Sequence, residues 1–283
     1  MKPVIEPQII AVRTEDGHAV DVIALIPPQP RSALLWMPAM GVAARNYLPF
    51  AQELARAGIA VYLHEWRGLG SSSLRASRAV NWRYRQILEF DIPATHQVLR
   101  EFTPDLPTRI GGHSLGGQLA CCYAGLHSQE FDAGLWLACS GAPYHGAFAF
   151  PRNLGILGAV VAFPLLGWIR GYFPGKQLRF ARSEARSMMA DWSRSARTGN
   201  YQPKGYEQPL DLGMARFTAP VTALVTEHDW LAPYDSTAFL VNKFSSAPRE
   251  IQLLNDTDMG VRADHFGWMA KPAVIAQRFI ERA

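Results

Sequence analysis

Residues 109–117 have the sequence Arg-Ile-Gly-Gly-His-Ser-Leu-Gly-Gly and place one serine, Ser114, inside a Gly-x-Ser-x-Gly pentapeptide. Residues 107–110 before it form a short strand-like run, and Leu115, Leu119, Cys122 and Leu126 after it recur at helical spacing. The outer glycines lack the Cβ atoms that would collide where a strand folds back into a helix. The stretch therefore predicts a sharp turn with an exposed serine at its tip.

Strand-like and helix-like segments alternate along most of the chain. Two opening strand-like runs are joined across residues 15–17, Glu-Asp-Gly, which favours an antiparallel hairpin. The later alternation predicts an α/β fold with a mostly parallel twisted sheet and helices on both faces. The strand-like segments are residues 9–13, 20–25, 33–36, 59–63, 133–138, 221–225 and 250–254.

The alternation of strand-like and helix-like segments stops between the strand-like residues 133–138 and 221–225. We therefore expect an α/β core of residues 1–143 and 214–283, with residues 144–213 inserted as a helical lid. Residues 154–169 of this insertion are apolar and uncharged, but a membrane-spanning helix needs about twenty residues. We expect a buried or interfacial pair of helices, broken at Pro164.

Composition excludes several classes of protein. The net charge of +4 is small for 283 residues, and no basic block interleaved with aromatics occurs in a DNA-binding frame, so we expect no nucleic-acid partner. The three cysteines have no metal-ligand spacing and are typical of a reducing compartment. Residues 1–7 lack the apolar core of a signal peptide, so a cytoplasmic location is expected; the oligomeric state is not indicated.

A serine becomes nucleophilic when a neutral imidazole removes its proton and a carboxylate orients that imidazole. His265 is the preferred base, because it follows the last predicted strand and so lies at the same sheet edge as Ser114. His113 adjoins Ser114 in a sharp turn and should point elsewhere, and His228 adjoins the preferred acid. His18, His96 and His127 are placed on a hairpin or in helices, where core or solvated roles are expected.

Asp229 is the preferred acid because it follows the predicted strand 221–225 at the same edge. It could instead cap the next helix. The competing carboxylates are Glu227, Asp256, Asp258 and Asp264.

Two backbone N–H groups are needed to stabilise the oxyanion of a tetrahedral intermediate. Leu115 supplies one at the start of the helix after Ser114. Met40, in the loop after the third strand, is the preferred second donor, since Pro38 has no N–H; this loop could also be only a tight turn.

Together these features resemble the α/β-hydrolase superfamily over the whole chain apart from the insertion. The nucleophile elbow, the order serine, aspartate, histidine, and residues 65–71 (Glu-Trp-Arg-Gly-Leu-Gly-Ser, a variant of Asp-x-Arg-Gly-x-Gly-x-Ser) carry the resemblance. It implies a triad of Ser114, Asp229 and His265 and a serine-hydrolase branch similar to lysophospholipases, carboxylesterases and proline-aminopeptidase-like enzymes. The family's common His-Gly before the oxyanion donor is Pro38-Ala39 here.

The resemblance implies no metal and no cofactor, because covalent acyl transfer needs none, and the serine excludes relatives with an aspartate nucleophile. We expect hydrolysis of a carboxylic ester, a small molecule with an apolar acyl or aromatic group. A thioesterase, an acyltransferase or a peptidase would use the same residues, and a non-catalytic binding protein is a further alternative. The expected substrate-binding residues are Phe150, Leu157, Phe163 and Trp230.

Basic residues dominate the second half of the insertion, where only Glu184 and Asp191 oppose them. They indicate either a solvated outer surface or a docking site for an anionic amphiphile or a negatively charged membrane surface. The basic residues are Arg170, Lys176, Arg179, Arg182, Arg186, Arg194, Arg197 and Lys204.

Overall fold

The structure, a computed structural model, describes residues 4–178 and 180–282. Its main feature is an eight-stranded sheet with the strand order β1-β2-β4-β3-β5-β6-β9-β10, in which β1, β2 and β4 pair antiparallel and all later pairs are parallel. The predicted fold class is therefore confirmed. The strands are β1 Gln8–Arg13, β2 Ala19–Leu25, β3 Ser32–Met37, β4 Ile59–Leu63, β5 Thr108–His113, β6 Gly134–Ala138, β7 Tyr172–Pro174, β8 Ser183–Ala185, β9 Val221–Thr226 and β10 Arg249–Leu254.

Helices cover both faces of this sheet. The π-helical turn Ile87–Asp91 joins α2 to α3, and Pro93 follows in the first turn of α3, where a missing N–H costs no hydrogen bond. The helices are α1 Leu48–Arg56, α2 Tyr84–Gln86, α3 Ile92–Phe102, α4 Leu115–Leu126, α5 Arg152–Arg170, α6 Gly175–Leu178, α7 Arg186–Thr198, α8 Asp211–Arg216, α9 Tyr234–Val241, α10 Asp256–Met259 and α11 Ala273–Ile280.

The central strands are buried on both faces, as a parallel sheet between two helical layers requires. In β3, Leu35 and Met37 join the core beneath α3 and α4, whereas Leu34 and Trp36 join the core beneath α1 and α11. This alternation follows from the two-residue period of a strand. Because β3, β5, β6 and β9 pair parallel, their carboxyl ends lie at one edge of the sheet, where loops carry the candidate site residues.

Between β6 and β9 the chain forms α5, the β7–β8 hairpin, α6 and α7. The expected helix pair broken at Pro164 is wrong, because residues 152–170 form one continuous helix with Pro164 inside it. The expectation that this segment is buried is also wrong, since Gly167 is the one residue of α5 that is fully buried. By length and apolar composition α5 could cross a membrane.

A buried ionic cluster fixes the loop of residues 65–71 against the amino-terminal hairpin. The guanidinium of Arg67 donates to Asp91 at 2.6 and 2.9 Å and to Asp16 at 2.7 and 3.1 Å. The ring of His18 bonds Asp91 at 3.0 Å and Ser72 at 2.8 Å. Each buried charge is thus paired, as burial of ions requires.

Removing the carboxylate at the centre of this cluster should be costly. Asp91→Ala leaves Arg67 and His18 buried with half of their partners, so we expect a loss of about 3 kcal/mol in the free energy of unfolding. Urea denaturation measures this loss. Glu101→Ala, at an exposed position of α3, is the control. Equal, small losses in the two variants would contradict the role of the cluster.

Candidate active site

Ser114 occupies the sharp turn between β5 and α4. Its backbone has φ 56° and ψ −124°, a conformation outside the ordinary range for a residue with a side chain. A Cβ at Gly112 would lie 2.5 Å from the carbonyl carbon of Gly116, and one at Gly116 would lie 2.2 Å from the carbonyl oxygen of Met37. Both outer glycines of the motif are therefore required by packing, and the half-buried Ser114 is held at the tip of the turn.

Ser140, two residues after β6, secures the same turn from the other side. The Ser140 hydroxyl donates a hydrogen bond of 2.7 Å to the carbonyl oxygen of Ser114. A Cβ at Gly117 would lie 2.4 Å from this hydroxyl oxygen. The second glycine of the Gly-Gly pair thus leaves room for the bond that fixes the serine backbone.

His265 and Asp229 form a buried pair at the same edge of the sheet. The Nδ1 atom of His265 lies 2.9 and 2.8 Å from the two carboxylate oxygens of Asp229. Asp229 Oδ1 also accepts from the backbone N–H groups of Leu231 and Ala232, at 2.9 and 2.7 Å. This arrangement places the ring proton on Nδ1 and leaves Nε2 as the basic nitrogen. Within residues 4–178 and 180–282, Nε2 is buried and has no hydrogen-bond partner.

The competing carboxylates have other partners. Glu227 and Asp256 lie 4.0 and 3.4 Å from the ring of His228, and Asp258 caps α10 with Asn255. Asp264 accepts from the backbone N–H groups that follow His265. Asp229 therefore accepts from N–H groups of its own turn and contacts His265. The alternative, that it caps the next helix, is wrong, because α9 begins after Pro233 without a side-chain cap.

The other histidines considered are bonded elsewhere, and His228, although it lines the same cavity as Ser114, is held by Asp256. His18 belongs to the ionic cluster, His96 bonds the Tyr123 hydroxyl at 3.2 Å, and His127 bonds Glu130 at 3.1 Å.

A buried chain of hydrogen bonds, which sequence reasoning missed, joins three loops of the site. The Tyr47 hydroxyl accepts from the Ala39 backbone N–H at 2.8 Å and donates to His113 Nδ1 at 2.8 Å. The other ring nitrogen of His113 donates to the backbone carbonyl of His265 at 2.9 Å. Burial, with a smaller contribution from His265, holds the pKa of His113 well below its usual range, so the ring is neutral. Tyr47 and His113 thus fix the Met40 loop, the serine turn and the His265 loop relative to one another.

Met40 and Leu115 line the same cavity as Ser114. Neither backbone N–H donates to any acceptor in the described part of the chain. The Leu115 N–H is free because Leu115 is the first residue of α4. The Met40 loop is close by, because Gly116 packs directly on the carbonyl groups of Met37 and Pro38. The two groups can therefore stabilise a negative oxygen near Ser114.

The cavity that contains Ser114 and His265 has a volume of about 760 Å³. Of the expected substrate-binding residues, Phe163 and Trp230 line it, whereas Phe150 and Leu157 do not. The reason is helix phase: α5 turns Gly155, Ile156, Ala159 and Phe163 toward the cavity, which places Leu157 on another side. Phe150 precedes the helix and is 78% exposed, so these two expectations are corrected.

The wall of the cavity is mostly apolar and comes largely from the insertion. Sequence reasoning missed several of its members, which hydrophobicity alone could not separate from core residues. They are Ala159, Leu178, Phe180, Trp192 and Phe266. In residues 4–178 and 180–282, no group of three or more His, Cys, Asp or Glu side chains is arranged to hold a metal ion.

Glu184 lies behind the two candidate oxyanion donors. It lines a small internal cavity of about 10 Å³ together with Met40, Leu115 and Trp66. Burial raises the pKa of Glu184 to about 7, and the Arg182 backbone N–H at 3.4 Å offsets this only weakly. While this carboxyl holds its proton, it places no negative charge beside the N–H groups of Met40 and Leu115.

This pKa makes the stability depend on pH. The folded chain keeps the Glu184 proton up to about pH 7, whereas the unfolded chain releases it near 4.5. The free energy of unfolding should therefore fall by about 3 kcal/mol as pH rises through this window. In Glu184→Gln this loss should disappear, so urea denaturation at pH 5 and pH 8 should show the variant gaining on the wild type at the higher pH. The exposed Glu207→Gln is the control, and a pH-independent difference for Glu184→Gln would contradict the assignment.

The hydrogen-bond chain is tested by removing one hydroxyl. Tyr47→Phe leaves the Ala39 N–H and His113 Nδ1 without their partner and loosens the Met40 loop, so we expect kcat to fall about tenfold with little change in KM. Tyr62→Phe removes an equally buried hydroxyl, bonded to Thr103 at 3.2 Å at the opposite edge of the sheet. Steady-state kinetics on a chromogenic ester should separate the two, and an equal fall in kcat would show that only general stability was lost.

Three solved structures share this fold over nearly the whole chain. A lipase in an open form has a TM-score of 0.68 at 17% identity, covering 98% of both chains. DcsB in complex with a substrate analogue has a TM-score of 0.68 at 14% identity, also covering 98% of both chains. An esterase from Exiguobacterium antarcticum has a TM-score of 0.62 at 14% identity, covering 97% of this chain and 98% of the other. At these identities the likeness concerns the fold alone.

Sequence comparison identifies the family. No curated protein sequence matches the chain significantly. The family model described as Hydrolase_4, serine aminopeptidase S33, matches residues 28–257, which is most of the chain. The chain therefore belongs to this S33 family of α/β-hydrolases.

Proposed function

We propose that the chain is a serine hydrolase that cleaves carboxylic esters with an apolar acyl or aromatic group through an acyl-enzyme. The observation that carries the proposal is one cavity of about 760 Å³ that brings together Ser114, His265 and the free backbone N–H groups of Met40 and Leu115. Its mostly apolar wall suits an acyl chain or an aromatic ring. The esterase and the lipase of the same fold agree with this chemistry.

In the first half of the reaction, the oxygen of Ser114 attacks the ester carbonyl carbon while His265 Nε2 takes the serine proton. Asp229 stabilises the resulting imidazolium through the bonds to Nδ1. The carbonyl oxygen becomes negative and accepts from the N–H groups of Met40 and Leu115. When the tetrahedral intermediate collapses, the C–O bond to the alcohol breaks and His265 gives its proton to the departing oxygen.

In the second half, water replaces the alcohol. His265 Nε2 removes a proton from the water as its oxygen attacks the acyl carbon, and the same two N–H groups hold the second oxyanion. Collapse breaks the bond to Ser114, whose oxygen recovers the proton from His265. The acid product leaves, and the starting protonation state is restored.

An ester substrate fits the cavity better than a peptide with a free amino terminus. Recognition of an α-ammonium group needs an available carboxylate, and Asp264 is the one acidic residue along the cavity wall in the described part of the chain. Its Oδ1 already accepts from the N–H groups of Phe266 and Gly267, and its Oδ2 lies 3.6 Å from Arg262 Nε. This carboxylate is engaged, which favours a neutral acyl group.

The insertion of residues 144–213 acts as a lid in this proposal. Residues on the inner side of α5 line the cavity, and Phe163 packs against Phe173 and Trp192 with ring centroids 4.6 and 5.4 Å apart. The Met40 loop meets the insertion as well, since a Cβ at Gly41 would lie 2.7 Å from the Cα of Ala181. The lid would thus shape the acyl pocket and exclude water from the reacting ester.

The nucleophile is tested by substitution and by labelling. Ser114→Ala should lower kcat for p-nitrophenyl butyrate by about 10⁴-fold, because the attacking atom is lost. A fluorophosphonate probe should label the wild type at Ser114 and leave Ser114→Ala unlabelled, as peptide mass spectrometry can establish. Ser245→Ala removes an exposed hydroxyl outside the cavity and is the control, which should still be labelled. An unlabelled wild type would favour a non-catalytic binding protein.

The acyl pocket is tested by filling it. Ala159→Phe adds a ring on the inner side of α5, so kcat/KM for a p-nitrophenyl ester of ten carbons should fall about tenfold while that for acetate stays within twofold. Val161→Phe adds the same ring on the exposed side of the same helix and should leave both values unchanged. An equal loss for short and long esters in Ala159→Phe would contradict the position of the acyl chain.

A further inference from the structure

The outer side of α5 exposes an unusual amount of apolar surface. Val161 is 67% exposed and Trp168 76% exposed, although both lie on a well-formed helix. Eight of the seventeen exposed large hydrophobic residues in the described part of the chain fall within residues 150–178. On a monomeric protein, exposed hydrophobic residues are usually scattered singly. A contiguous exposed apolar patch is therefore typical of an interaction surface.

The patch has the geometry of a helix face. Leu154, Val161, Leu165 and Trp168 recur at spacings of seven, four and three residues, so they lie on one side of the helix. Between Asn153 and Arg170 the helix has no polar residue. We call this surface the lid face: Phe150, Leu154, Leu157, Val161, Leu165, Trp168 and Ile169.

The exposed charges of the segment that carries the lid face have one sign. Residues 150–206 contain nine Lys and Arg residues and two acidic ones, while the whole chain has a net charge of only +4, so the rest of the chain is net negative. Both acidic residues, Glu184 and Asp191, are buried. The exposed charges of this segment are therefore all positive.

Arginines are fixed beside the carboxyl end of α5, next to Trp168. Arg78 donates to the Ile169 carbonyl at 2.7 Å, and Arg186 donates to the carbonyls of Gly171 and Arg78 at 2.9 and 3.0 Å. Arg170, the last residue of α5, is exposed and bonds Gln177 at 3.3 Å. Cations at this helix end are favourable for the helix itself. Arg78, bonded to Ile169, borders the lid face, whereas Arg170 follows Phe163 by seven residues and lies on the inner side of α5.

We propose that the lid face docks on the surface of an anionic lipid bilayer. The helix lies in the plane of the interface, with its apolar side chains among the acyl chains and the surrounding arginines at the phosphate groups. The cavity lies on the other side of α5, so a docked chain would hold its site next to the bilayer. The docking itself does not depend on the proposed ester hydrolysis.

Docking at the interface fits the contacts of α5 better than a transmembrane span. The inner side of the helix packs on the rest of the chain through Phe163 and lines the cavity with Ile156 and Ala159. A span would remove all of these contacts and would carry Arg152 or Arg170 through the bilayer. An interfacial helix keeps them and buries only the exposed side.

An anionic bilayer also fits better than a second copy of the chain. Two lid faces packed together would bring the positive charges of the two insertions close to one another, and like charges oppose such association. Phosphate groups are complementary to them.

Vesicle co-sedimentation tests the docking with the whole chain. The wild type should bind vesicles of phosphatidylcholine with about a third of phosphatidylglycerol at least tenfold more tightly than vesicles of phosphatidylcholine alone, and about 0.5 M salt should weaken this binding. The double variant Val161→Ser, Trp168→Ser should lose at least tenfold, and Arg78→Gln, which removes the guanidinium beside Ile169, about fivefold. Phe102→Ser, at an exposed position of α3 outside the lid face, is the matched control and should bind as the wild type does.

Circular dichroism and urea denaturation show that the variants are folded, and Ser114→Ala should bind vesicles as the wild type does, which separates docking from catalysis. Failure of the wild type to bind anionic vesicles, or equal binding by the double variant, would overturn the proposal. Sedimentation equilibrium without lipid gives the other decisive outcome: a dimer abolished by Val161→Ser, Trp168→Ser, with no vesicle binding, would make the lid face an interface between copies.

Discussion

The close packing of α4 against the ends of β3 and β5 is the constraint on which the site depends. Gly112 and Gly116 have backbone atoms in positions where any Cβ would overlap a neighbouring main chain. Because the helix starts so close to these strands, Ser114 takes a positive φ and its side chain leaves the core. The same packing leaves the first N–H of α4 beside the Met40 loop. One local steric condition thus positions both the candidate nucleophile and the candidate oxyanion donors.

Polar contacts then fix the remaining parts of the site. Tyr47 and His113 join the Met40 loop, the serine turn and the His265 loop in one buried chain of bonds, and Asp229 holds the His265 ring. These side chains belong to the central α/β core. The insertion contributes most of the apolar wall instead. In the proposed function, the chemistry would therefore depend on the hydrogen-bonded core and the choice of acyl group on side-chain packing in the insertion.

Much of the fold and several site positions follow from sequence. A tight strand–turn–helix has few solutions, and the carboxyl ends of parallel strands meet at one edge, which is why Asp229 and His265 could be placed together before their contact was seen. Helix phase was not accessible in the same way. In an unbroken apolar run such as residues 154–169, hydrophobicity does not indicate which side faces the cavity, so Leu157 was chosen and Ala159 was missed. Pro164 suggested a break that the continuous helix does not contain. Tyr47 and Glu184 carry no motif, and their roles arise only from tertiary burial.

The central claim, that Ser114 attacks and that Met40 and Leu115 stabilise the oxyanion, is tested most directly by a crystal structure of the chain after reaction with a long-chain alkyl phosphonate. The phosphorus should be bonded to the oxygen of Ser114, with the phosphonyl oxygen within about 3 Å of the N atoms of Met40 and Leu115. The alkyl chain should lie against Phe163 and Ala159. A phosphonyl oxygen turned to solvent, or a phosphonate bonded to another residue, would contradict the account.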